Sequence, residues 1–71
     1  MPKREIVIFN KDNKVIFVNN VVNYEIYTKA NALVINTEKK EHKFSIDNIN
    51  QVIINVLLDK SVINSDFILL P

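Results

Sequence analysis

From Arg4 to about Ile46, apolar and polar residues alternate with a period of two, in a chain that contains no glycine. Val22, Tyr24 and Ile26 alternate with Asn23, Glu25 and Tyr27. Leu33 and Ile35 alternate with Val34 and Asn36, and His42, Phe44 and Ile46 with Glu41, Lys43 and Ser45. Successive side chains of a strand point to opposite faces, so this spacing predicts half-buried β-sheet. The predicted strands cover residues 4–9, 14–18, 21–28, 32–37 and 41–46. Polar clusters at 10–13, 29–31 and 38–40 serve as turns, and Asn19-Asn20 as a short break or bulge. Connections this short imply antiparallel neighbours, hence a meander.

The first turn, Asn10-Lys11-Asp12-Asn13, lacks the glycine that tight hairpins favour. Asn tolerates the left-handed backbone region better than other non-glycine residues, so Asn13 is predicted to take it.

The C-terminal third admits two readings. Ile49, Val52, Ile53, Val56 and Leu57 fall on one helical face, with Asp47 in position to cap, which suits a helix from about residue 47 to 60 lying across the sheet. The run Val52-Ile53-Ile54 and Val56 is β-branched and stiff at χ1, which suits a strand over 51–57 that extends or closes the sheet. The strand is the preferred reading. The expected fold is mainly β: a small antiparallel meander of five to six strands, rolled or barrel-like, in a single domain over residues 1–71.

Seventy-one residues bury only about 60% of the surface the unfolded chain exposes, so stability is marginal without help. There is no cysteine, hence no disulfide and no cysteine-built zinc site. A dense core or association with another chain remains. Hydrophobic residues make up 48%, and the surplus gathers late: Ile53, Ile54, Leu57 and Leu58, then Phe67, Ile68, Leu69 and Leu70. An apolar run in solvent is a liability, so Ile53, Leu57, Leu58 and Phe67 through Leu70 are the candidate interface, docking on the core, a second copy or another protein.

The net charge of +1, with both signs interspersed, argues against a strong field for nucleic acid. No stretch approaches the roughly 18 apolar residues of a membrane span, and the apolar run behind the first charged residues is too short for a secretory signal. Absence of cysteine suits a reducing compartment, so the expected location is cytoplasmic. Asn, Ile and Lys supply 30 of the 71 residues, a codon bias toward an AT-rich genome.

Little in the chain suggests catalysis. His42 is the single histidine, on the inward parity with Phe44 and Ile46, and has neither a second histidine nor a cysteine with which to share a metal. The carboxylates fall mostly in turns or on polar faces. Without glycine there is no phosphate-cradling loop and no dinucleotide fingerprint. A non-enzymatic protein without cofactor or metal is expected, a small module acting through protein contacts as a homo-oligomer. The alternative is a single-stranded nucleic-acid binder that stacks a base on Tyr27, on the polar parity with Asn23 and Glu25, beside Lys29 and the Lys39-Lys40 turn.

The order of a Lys11-Asp12-Asn13 turn, a strand bearing tyrosine and the pair Asn48-Ile49 has a distant resemblance to Sm-like and other SH3-type small barrels over residues 5–56. The resemblance implies a rolled barrel. The bending glycines and the N-terminal helix of that group are absent, and no RNA-binding residue carries over.

Overall fold

The computed structural model describes residues 2–71. It contains seven strands: β1 (Lys3–Asn10), β2 (Val15–Val18), β3 (Val21–Tyr27), β4 (Ala32–Thr37), β5 (Glu41–Ser45), β6 (Ile49–Leu58) and β7 (Ser61–Ile68). One 3₁₀ turn, Ile46–Asn48, precedes β6. The strands form two antiparallel sheets, one of four in the order β2-β1-β6-β7 and one of three in the order β3-β4-β5. The mainly β, antiparallel expectation holds, with one strand more than the five to six expected. The two sheets pack into a compact unit that is not a closed barrel, so the closure implied by the small-barrel resemblance is absent.

The long-range pairing of β1 with β6 builds the larger sheet. Ile6 faces Ile54 and Ile8 faces Val52 across it. This pairing also decides the C-terminal ambiguity. The helix over 47–60 does not form; only Ile46–Asn48 turns, and its N-cap position is Ser45, with Asp47 inside the turn. The β-branched run lies flat against β1 instead, where its stiff side chains pack without crowding a helical turn. The strand extends beyond the expected 51–57 at both ends.

The chain crosses between sheets at two places, the first at the break the sequence marks. Asn19 and Asn20 carry it from β2 to β3, with Asn20 at φ 57°. The Ile46–Asn48 turn carries it back from β5 to β6, and Ile46 and Ile49 at its ends are both buried. The core lies between the sheets: Ile6, Ile8 and Val52 from one side, Leu33 and Ile35 from the other, all fully buried.

Turn chemistry compensates for the missing glycines. Asn13 sits at φ 68°, as expected, and Asn31 at φ 54° in the β3–β4 turn. The β6–β7 hairpin turns on Asp59 and Lys60, both at positive φ, the signature of a two-residue turn whose twist matches its strands. A bulge in β3 between Val21 and Asn23 corrects one expected parity. Val21 takes the buried place and Val22 is 45% exposed, because one extra residue flips everything before it to the other face.

Candidate functional site

The pleat and the registers define the outer face of the four-stranded sheet. Phe17 faces Val7, Val7 faces Ile53, and Ile53 faces Phe67, so one apolar row crosses all four strands. Val7 is 6% exposed although it points away from the core, because Phe17 and Ile53 flank it. The two phenylalanines at the ends of the row are 60% and 65% exposed. On one side of this row lies Val15 opposite Phe9. On the other lies a polar ladder. The Asn55 amide donates to Glu5 at 3.2 Å, and the Ser65 hydroxyl donates to Asn55 Oδ1 at 2.6 Å. The outer face is thus a band of large apolar side chains held in register by a hydrogen-bonded rail.

β7 is unlike the other strands. Every residue of it except Ile68 is exposed. Both of its faces therefore meet solvent along most of its length. A bulge opposite Val56 and Leu57 gives β7 one extra residue, Ile63, which no residue of β6 opposes. Ile63 and its neighbour Val62 are both more than half exposed.

The structure divides the residues expected to form the interface. Ile68 and Leu70 pack against the chain's own core. Leu69 between them points away and is 87% exposed. Ile53 and Leu57 share the outward parity with Phe67 and are half-buried. Leu58 is exposed at the hairpin end of β6. The missed members are Phe17 and Val15: they stand two apart in the strand expected over 14–18, and only its pairing with β1 places them in the band.

The residues considered for nucleic acid do not share one surface. Tyr27 and Lys29 lie at one end of the β3–β4 hairpin, where Tyr27 pairs with Ala32. Lys39 and Lys40 lie beyond Thr37 at the other end, about 20 Å away along β4. Thr37 shapes that turn: its hydroxyl accepts from the backbone N–H groups of Lys39 and Lys40.

Lys39 and Lys40 instead line an open cleft of about 670 Å³ with Lys3, Arg4, His42 and Phe17. Arg4 inherits the inward parity of Ile6 and Ile8, reaches across the mouth between the sheets and donates to the Val22 carbonyl. A second recess of about 570 Å³ shares Lys3 and Arg4 and adds Lys60. Five of the nine basic residues therefore gather at one end of the molecule, with Glu38, Glu5 and Asp59 among them. His42 stacks parallel to Phe44, its neighbour two residues on, with centroids 6.4 Å apart.

Tyr27 donates its phenol hydrogen to Glu25 at 2.7 Å. That bond to a carboxylate, with smaller contributions from desolvation and the charges of Glu25 and Glu41, raises the phenol above its ordinary value near 10. Among the described residues, no three His, Asp or Glu side chains group as ligands of a metal ion. Among the described residues, no helix is long and apolar enough to cross a membrane. No protein-family model matches the chain, nor does any curated protein or solved structure.

Proposed function

We propose that this chain is a non-enzymatic interaction module that works through protein–protein contacts and associates with itself. The observation that supports this reading is the apolar row Phe17, Val7, Ile53 and Phe67 on the outer face of the larger sheet, continuous with a β7 exposed on both faces. Exposed apolar patches of more than a few hundred Å² mark association surfaces, and each phenylalanine alone presents on the order of 100 Å². Self-association also offsets the small core of a short chain.

The test is sedimentation of the wild type beside a Phe17→Ser/Phe67→Ser variant. The wild type should exceed the 8.2 kDa of one chain, and the variant should return toward it while keeping its far-UV circular dichroism. A wild type that stays at single-chain mass as concentration rises overturns self-association.

A second reading rests on the cationic end. Lys3, Arg4, Lys39 and Lys40 around an exposed Phe17 suit phosphate contacts with base stacking, so a single-stranded nucleic acid is the alternative ligand. Four phosphate contacts predict that the logarithm of affinity for a labelled oligothymidylate falls with the logarithm of salt at a slope of about −3. No binding at low salt ends that reading.

A further inference from the structure

We infer that the self-association surface is the free edge of β7, paired antiparallel with β7 of a second copy about a twofold axis through Ser65; this rests on the self-association proposed above.

Edge strands carry a row of unpaired backbone groups, and folded proteins blunt them. Here β2 is four residues long, β3 has only seven residues and carries the charge Glu25, and β5 is five residues long with the charges Glu41 and Lys43 along its exposed side. β7 is eight residues long, exposed, rich in apolar side chains and bears one charge, Asp66. It is the edge best suited to accept another strand.

The side chains choose the register. In an antiparallel pair about a twofold axis, residues whose numbers share a constant sum oppose each other, and the sum must be even for the backbone groups to match. Centring on Asp66 sets the two carboxylates against each other. Centring on Asn64 places Ile63 against Ser65, an apolar side chain against a hydroxyl, and leaves Asp66 without a partner on its own face beyond the bulge. Centring on Ser65 places Asn64 against Asp66 twice and Ile63 against Phe67 twice, all on the bulge-free side of Val62. Only this last register gives the extra residue Ile63 an apolar partner and gives each Asp66 an amide. That amide already leans the right way: Asn64 Nδ2 donates to Asp66 of its own strand at 3.2 Å. The product is a continuous eight-stranded sheet that ends at each side in the short β2. It consumes the long edge of each copy, and the Phe17–Phe67 band runs on into Ile63 of the second copy.

The chain has no cysteine, so Ser65→Cys carries the single thiol of each copy. Directly opposed residues lie about 4.5–5.5 Å apart at Cα, within the span of a disulfide. Mild oxidation at low concentration should convert the variant to a covalent dimer; Asn50→Cys, exposed on β6, should not respond. Asn64→Asp sets like charges opposite each other twice and should weaken dimerisation about tenfold, whereas Asn64→Lys should tighten it. A dimeric wild type whose Ser65→Cys form does not cross-link, and whose Asn64 variants dissociate alike, overturns the register and leaves self-association standing. A monomeric wild type overturns both.

Discussion

Val7 and Val34 occupy matching places in the two sheets, and they are hidden by opposite means. Each sits on an interior strand and points away from the core, and they are 6% and 7% exposed. Val34 is flanked by Glu25 and Lys43, whose long stems cover it while their charged ends stay in water. Val7 is flanked by Phe17 and Ile53, which cover it by presenting more apolar surface. The smaller sheet therefore ends in a wetted outer layer built from Glu25, Tyr27, Glu41 and Lys43. The larger sheet ends in an apolar band. Burial of the central residue is the same; what differs is whether its cover needs a cover of its own.

The contrast concerns the outer layers, so both sheets should answer equally to damage underneath. Ile8→Ala and Ile35→Ala each remove a fully buried side chain, one per sheet. Each should cost about 2–5 kcal/mol in urea unfolding, with a single transition in both cases. Losses confined to one sheet, or two separate transitions, would mean that the sheets do not share one core. The outer faces should then diverge. Phe17→Ser and Phe67→Ser, being more than half exposed, should each cost only about 1 kcal/mol in a dilute single chain and act mainly on association. A loss as large as that of Ile8 would make the band part of the core.

The smallest effect is on the wetted side. In a Tyr24→Phe background only Tyr27 titrates. Glu25→Gln removes the carboxylate that holds the Tyr27 proton, so the tyrosinate absorbance should rise at lower pH than in the parent. The sign for stability follows. Since the folded phenol is raised, its contribution is intact below pH near 10 and is lost as pH climbs through the raised midpoint. An unchanged midpoint would remove the Tyr27–Glu25 bond from the polar layer.

Much of the fold was legible because strands write locally. The alternation at 21–46, the turns and the left-handed Asn13 all follow from residues a few positions apart. β7 was not legible as a strand, because its bulge at Ile63 puts Val62 and Ile63 side by side and breaks the period. Residues 47–60 fitted helix and strand alike, since Ile49, Val52, Ile53, Val56 and Leu57 satisfy a helical stripe while being stiff at χ1. Pairing with β1, more than forty residues away, removed the tie. The candidate surface was half legible. Phe67 and Leu69 were visible as a surplus, but Phe17 joins them only through β1 and β6.

Away from the bulges in β3 and β7, sequence alone settled which residues of a strand share a side, because the pleat gives every extended chain that rule. It could not settle which side is inside. β1 and β6 are apolar on both, Ile6, Ile8 and Ile54 on one and Val7, Phe9 and Ile53 on the other. Docking of the three-stranded sheet made the first set the core and left the second set facing outward. That choice depends on contacts between distant segments, where the free energy of burying one face or the other is decided by what lies opposite it.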